Sequence, residues 1–164
     1  MLTKIEGTVW RFGDYIDTDI ICAGRYINAP LDEMKKHVLE SIRPDFAAKV
    51  KPGDIIVGGC WFGTGSARET APAALKALEI GAVIAESAAR NFYRNAIGVG
   101  LPMITCSGCT EAFQEGDHIV VDFETMVITD INNGKKLAFE GFPKEMLQVL
   151  EAGGVENFLR QMNY

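Results

Sequence analysis

The sequence predicts an α/β fold in which a parallel βαβαβ unit is joined to an additional β meander. Three observations carry this. Between residues 55 and 105, short wholly apolar segments bounded by turn residues alternate with helix-forming segments, the grammar of a parallel sheet covered on both faces. After residue 117 the apolar period changes to two, the mark of an antiparallel sheet with one covered face. No repeat, low-complexity tract or linker interrupts the 164 residues, so residues 1–164 are expected to form a single domain.

Ile5 to Phe12 carries β-branched and aromatic residues and reads as the first strand. Leu31 to Ile42, with Met34, Val38, Leu39 and Ile42 at helical spacing, predicts an amphipathic helix. The turn Lys51-Pro52-Gly53-Asp54 introduces the buried strand Ile55 to Val57. A helix over Ala67 to Leu78, a strand over Ala82 to Ala85, a helix over Ala88 to Val99 stopped by Gly100, and a strand over Met103 to Thr105 complete the βαβαβ run. Right-handed crossovers are expected for it. Two alternating strands follow, His118 to Asp122 and Met126 to Asp130, then an Asn132-Asn133-Gly134 turn and a strand over Lys136 to Phe139. Two short helices near Lys144 to Glu151 and Val155 to Met162 close the chain around Gly153-Gly154.

Composition excludes several function classes. With 16 Lys and Arg against 22 Asp and Glu, the formal charge is −6, and no dense basic run exists to hold a phosphate backbone. No nucleic acid partner is expected. No apolar stretch approaches the roughly 20 residues that span a bilayer, and no basic-then-apolar leader precedes the first strand, so no membrane association and a cytoplasmic location are expected. There are two histidines and four cysteines. His37 sits in a Lys35-Lys36-His37 run and His118 opens a strand, settings that favour solvent-facing or merely packed rings over metal ligands or a hydrolase triad. Cys106-Ser107-Gly108-Cys109 has the spacing of a redox or zinc half-site, but a single CxxC also fits ordinary thiols in a reducing compartment. Cys22 and Cys60 lie in apolar sequence and are read as core-packing residues. No metal site is assigned to this chain.

Chemistry concentrates at Gly59-Cys60-Trp61-Phe62-Gly63-Thr64-Gly65-Ser66-Ala67-Arg68-Glu69-Thr70. Its glycines allow close backbone approach to a ligand, and a following helix N-terminus favours an anion such as a carboxylate. It is not a nucleotide loop: no Lys follows Gly63 or Gly65, and Arg68 occupies the place of the third glycine of GxGxxG. Ser66 to Glu69 has capping-box spacing, so Ser66 is either a helix cap or, beside Arg68 at a helix N-terminus, an activated base or nucleophile. An Arg in the first turn opposes the helix dipole, which points to an anionic ligand for Arg68. The acids of Asp14-Tyr15-Ile16-Asp17-Thr18-Asp19 lack the glycine and terminal Glu of a calcium loop and read as turn chemistry.

Taken in order, Asp17-Thr18-Asp19, Arg25-Tyr26, Val57-Gly58-Gly59, Phe62 to Glu69, Val83-Ile84-Ala85-Glu86-Ser87, Phe92 to Ala96 and Gly100-Leu101-Pro102 closely resemble the swivel domain of the aconitase family, in its 3-isopropylmalate dehydratase small-subunit branch. The resemblance covers nearly the whole chain. It implies a swivelling β/β/α domain and a stereospecific hydro-lyase that isomerises 2-hydroxy acids by dehydration and rehydration, here 2- and 3-isopropylmalate of leucine biosynthesis. It also implies a [4Fe-4S] cluster carried by a partner large subunit, none bound by this chain, in a heterodimer or heterotetramer. By the same resemblance Ser66 and Asp19 are the catalytic candidates, Ser66 as the base that takes the proton from carbon. The Gly65 to Arg68 turn donates to its alkoxide, and Arg68, Ala67, Gly65 and Arg25 bind the substrate. On this resemblance, capping and catalysis by Ser66 are compatible.

Two positions depart from the family pattern. Ala67 stands for a second serine and Thr70 for a histidine. The missing hydroxyl at Ala67 removes a charged hydrogen bond worth about 1.5–3 kcal/mol. The family's specificity loop corresponds to Ile27-Asn28-Ala29-Pro30-Leu31, and no Lys or Arg occurs between Arg25 and Lys35 to receive an extra carboxylate. A dicarboxylate with an apolar branch is therefore expected. Isopropylmalate leads, with 2,3-dimethylmalate or citramalate next; a non-catalytic anion-binding paralogue is the remaining alternative.

Overall fold

The computed structural model describes residues 2–163. The strands are β1 (Lys4–Arg11), β2 (Ile55–Gly58), β3 (Ala82–Ala85), β4 (Met103–Thr105), β5 (His118–Asp122), β6 (Val127–Asp130) and β7 (Lys136–Ala138). They form one mixed seven-stranded sheet in the order β4-β3-β2-β1-β5-β6-β7. β2, β3 and β4 are mutually parallel and β5, β6 and β7 antiparallel, so both expected halves are present. β1 joins them: Lys4–Thr8 pairs antiparallel with β5, and Val9–Arg11 pairs parallel with β2. The crossing needs Gly7, where a Cβ would run into the carbonyl of Gly53.

Burial explains the two sequence grammars. Every residue of β2 and β3 is buried, whereas β5 and β6 alternate. Ile56, Val83, Ala85 and Met103 face a core with Phe12, Ile21, Leu39, Phe46, Leu75 and Phe92. Ile55, Val57, Ala82, Ile84 and Ile104 face a second core with Phe113, Ile119, Val121, Phe123, Ile128 and Phe139. The parallel strands thus divide two cores between odd and even residues, and the meander belongs to the second of them.

The helices are α1 (Thr18–Ile21), α2 (Leu31–Met34), α3 (Phe46–Lys49), α4 (Thr70–Ala77), α5 (Arg90–Gly98), α6 (Cys109–Ala112), α7 (Lys144–Ala152) and α8 (Val155–Met162). Three differences from the sequence reading have physical causes. The helix expected over Leu31 to Ile42 stops at Met34 and continues only as a 3₁₀ turn, Lys35–His37. Leu39 is fully buried at φ 58° and its N–H donates to the Ile21 carbonyl, 3.0 Å, so packing on α1 overrides the helical period. The helix expected from Ala67 begins at Thr70. The one-turn helices α1, α3 and α6 were not anticipated. Among the described residues no helix is long and apolar enough to cross a membrane.

Candidate active site

Loops from the carboxyl ends of β1, β2 and β3 meet at one end of the parallel half, the edge where open α/β sheets bind ligands. Residues 13–18 and 59–66 are joined by a ladder. Gly59 N–H donates to Gly13 O (3.0 Å), Tyr15 N–H to Cys60 O (2.8 Å), Gly63 N–H to Ile16 O (2.7 Å) and Thr18 N–H to Thr64 O (2.8 Å). Asp14 Oδ1 accepts from Cys60 N, 2.7 Å. The third loop is tied in by Trp61 N–H to Ser87 Oγ (2.8 Å) and Phe62 N–H to Ser87 O (3.0 Å). The glycines here answer to space. A Cβ at Gly59 would enter the Asp14 carboxylate, and Gly63, at φ 81°, has the Phe92 ring against the place of its missing Cβ.

Ser66 is exposed on this frame. Its carbonyl accepts from the buried Thr18 hydroxyl at 2.9 Å and from Arg68 N–H at 2.8 Å. The capping-box expectation is corrected: the N-cap of α4 is Glu69, which makes no side-chain cap, and Ser66 lies in the loop before it. The Thr18 and Arg68 bonds to its carbonyl hold that residue out of helical continuation. Arg68 likewise precedes the helix, so the dipole argument does not apply to it. Its N–H is also committed to Ser66 O, which leaves Gly65, Ser66 and Ala67 N–H groups in that turn.

The Arg68 guanidinium turns toward the first loop, with Nη1 3.4 Å from Asp19 Oδ1 and 3.5 Å from Cys22 O. Asp19 Oδ1 also accepts from Gly24 N–H at 3.0 Å. Asp17 caps α1 through Ile20 N–H at 2.7 Å. Thus the two acids of the Asp-Thr-Asp run divide: Asp17 builds the helix and Asp19 meets the arginine. The buried Cys22 thiol is pushed up by burial, an effect that Arg68 partly opposes. Beside it, the Thr70 hydroxyl is buried without a hydrogen bond of standard geometry.

Asp19 also lines a cleft of about 520 Å³ with Arg25, Tyr26, His37 and Glu40. Arg25 Nη2 pairs with Glu40 Oε1 at 2.9 Å, and its Cζ lies 5.0 Å from the Tyr26 ring centroid. The segment Ile27 to Leu31, the expected specificity loop, follows this corner. Its backbone turns on Ala29 N–H to Tyr26 O, 2.9 Å, and it exposes Ile27 and Leu31. Thr18, His37 and Glu40 were missed as members of the site. His37 had a legible signal: Glu33 and Glu40 stand four and three residues from it.

The cysteines do not converge. Cys60 is exposed, correcting its assignment to the core, whereas Cys22 is buried. Cys106 and Cys109 are both reduced and buried, their thiols 3.5 Å from Ala138 O and 3.7 Å from Gly58 O. Burial and then the Glu86 charge push both thiols up, the setting of inert rather than reactive sulfur. Among the described residues there is no group of three or more His, Cys, Asp or Glu that could hold a metal ion.

Residues 21–107 match the aconitase C-terminal domain family. The isopropylmalate/citramalate isomerase small subunit of Methanocaldococcus jannaschii is 48% identical over 162 residues, covering 98% of this chain and 96% of that protein. The 3-isopropylmalate dehydratase small subunit of Nautilia profundicola is 47% identical, with 98% and 97% covered. A solved structure of 3-isopropylmalate dehydratase from Methanocaldococcus jannaschii superposes with a TM-score of 0.91 at 39% identity, covering 97% of this chain and 95% of that one.

Proposed function

The chain belongs to the aconitase C-terminal domain family, in its branch of 3-isopropylmalate dehydratase small subunits, and from that premise we infer that it supplies the proton-abstracting half of a two-chain hydro-lyase. In this reading the 164 residues work as one cytoplasmic domain beside a large subunit, and the reaction interconverts 2- and 3-isopropylmalate. The [4Fe-4S] cluster is assigned to the large subunit, since the cysteines of this chain do not form a site that fits it.

The observation that carries the reading is the junction of the two loops: Thr18 holds the Ser66 carbonyl while Arg68, two residues on, reaches Asp19. Ser66 takes the proton from the substrate carbon on dehydration and returns one on rehydration. Backbone N–H groups of Gly65 and Ala67 offset the charge of its alkoxide, which a serine cannot sustain near neutral pH without such donors. Arg68 binds a substrate carboxylate as a fork, with Asp19 fixing its approach. Arg25 borders the same substrate space.

The contributions of Ala67 and Thr70 favour a second reading at the level of substrate. With the family's hydroxyl and imidazole absent, another branched dicarboxylate such as 2,3-dimethylmalate or citramalate is the alternative. Anaerobic reconstitution with the large subunit, followed by assay over a panel of 2-hydroxy diacids and triacids, tests both. Turnover is expected on an apolar-branched diacid, and Ser66→Ala should lower kcat by about three powers of ten or more while leaving subunit assembly intact. Near-normal turnover of that variant would overturn the role of Ser66, and no turnover of any acid by the wild-type pair would favour an anion-binding paralogue.

A further inference from the structure

The cleft beside Asp19 contains a side-chain cluster that the proposed reaction does not use. Both ring nitrogens of His37 face carboxylate oxygens: Nδ1 lies 2.8 Å from Glu40 Oε2 and Nε2 3.1 Å from Glu33 Oε1. Carboxylates only accept, so both contacts are hydrogen bonds only when the ring is an imidazolium with two donors. The same ring stacks on Tyr26 with centroids 4.0 Å apart and planes 7° from parallel. The other oxygen of Glu40 takes Arg25 at 2.9 Å. A single carboxylate therefore bridges two cations, and one of them fixes the aromatic neighbour of the other.

We propose that His37, as an imidazolium, is the positioning residue that sets the Arg25–Tyr26 corner of the substrate site, so that loss of its proton weakens substrate binding. This rests on the reading of Arg25 as a substrate-binding residue. Two effects act in the same direction. A neutral ring must turn a lone pair toward Glu33 or Glu40, which opens one bridge and releases the ring that Tyr26 stacks on. A neutral ring also stops competing with Arg25 for Glu40, so the carboxylate neutralises Arg25 more fully and a substrate anion is held less well.

The surrounding charges are consistent with His37 being the group that titrates. On its own turn and α2, Lys36 pairs with Glu33 at 3.4 Å and Lys35 with Asp32 at 3.8 Å. From the neighbouring 3₁₀ turn, Gly24–Tyr26, comes Arg25, and Asp19 of α1 borders the same cleft. Of the helices packed against the turn, α3 has Lys49 paired with Asp45 at 3.0 Å, and α4 has Lys76 donating to Gly100 O at 3.0 Å. The two carboxylates, Glu40 and then Glu33, hold His37 above its ordinary value.

The test uses the reconstituted two-chain enzyme, with KM and kcat measured from about pH 6 to about pH 9, a window that spans histidine titration and lies above carboxylate titration. Wild-type KM should rise about three- to fivefold with pH, the scale of one partly exposed ion pair, with the change in KM rather than kcat. His37→Phe, which keeps the stack, should show the high-pH KM throughout. Glu40→Gln, which keeps the ring, should lower the pH at which KM changes. Because the chain has two histidines, ring NMR of the full small chain, assigned with His118→Gln, gives an independent readout: the His37 titration should fall in Glu40→Gln. A His37→Phe enzyme with the wild-type KM profile, or an effect confined to kcat, would overturn the proposal. Failure of the reaction assignment is separable, since it appears as no turnover of any acid by the wild-type pair, whereas the His37 titration and its shift in Glu40→Gln are read on the small chain alone.

Discussion

Trp61 carries a bulky side chain at φ 57°, a left-handed backbone that costs an L-residue roughly 1–2 kcal/mol. It is half exposed, so packing of the indole repays little of that cost. What fixes the conformation is the backbone: its N–H donates to Ser87 Oγ, Cys60 before it is bonded to Asp14, and Phe62 after it bridges Ala88. The strain is thus imposed by the loop that also presents Ser66. Asn tolerates this region far better, and Trp61→Asn leaves every one of those backbone bonds available. It should stabilise the chain by about 1 kcal/mol, a rise in Tm of about 2–4 °C for a domain of this size. A melting scan of the isolated chain reads this directly; a fall in Tm would mean that the indole contributes more by packing than its backbone costs.

At the scale of elements, α6 shows how a short helix is held from outside. It has no side-chain cap from Gly108, its own N-cap residue. Instead Glu86, at the end of β3, accepts from Gly108 N–H (2.8 Å), Thr110 N–H (2.9 Å) and Thr110 Oγ1 (2.8 Å). Burial works against the Glu86 carboxylate, yet these bonds hold it below the ordinary carboxylate value of 4.5. A group depressed in the folded state stabilises above its unfolded value and loses that contribution as pH falls through the folded one. Glu86→Ala should therefore cost about 1–2 kcal/mol at pH 7, and the deficit should shrink on acidification below 4.5. Urea unfolding at several pH values checks both the size and the sign; a deficit that grows in acid would contradict the cap. The same element shows why some helices escape the sequence. Periodicity needs several turns to register, and α1, α3 and α6 have four residues each. The strands β2 and β3 were legible because their burial on both faces leaves an unbroken apolar run between turn residues. The start of α4 was misplaced because Ser66-x-x-Glu69 carries a valid capping spacing, and the bond that overrules it comes from Thr18, 48 residues away.

For the whole molecule, the proposed function makes the distribution of charge around the cleft the selector of the substrate. The chain bears −6 overall, so an anionic substrate enters against the net field and must be held by local cations. The cations near the cleft are already shared with acids: Arg68 with Asp19, Arg25 with Glu40, Lys35 with Asp32 and Lys36 with Glu33. In the proposed reading Arg68 and Arg25 are the pair that borders the substrate, enough for a dicarboxylate. The loop that runs from Arg25 into the start of α2 offers exposed Ile27 and Leu31 and no cation. This much was readable from the composition of the loop, whereas the acid pairing of each cation was not, because Glu40 reaches Arg25 only through the packing of α1 against the turn that follows α2, and Asp19 reaches Arg68 only through the junction of the two loops. A third carboxylate would lie against this loop without a charged partner, and the absence of one charged hydrogen bond costs about 1.5–3 kcal/mol, roughly ten- to a hundredfold in kcat/KM. The reconstituted enzyme is therefore expected to favour isopropylmalate or a methylated malate over homocitrate or homoaconitate by that margin. Asn28→Arg, which places a cation in the exposed loop, should narrow the gap by raising kcat/KM for the tricarboxylate. Comparing both acids in both enzymes makes the reading vulnerable at one point: a wild-type preference for the tricarboxylate would mean that the third carboxylate is received by a cation of the large subunit, and that this loop does not select the substrate.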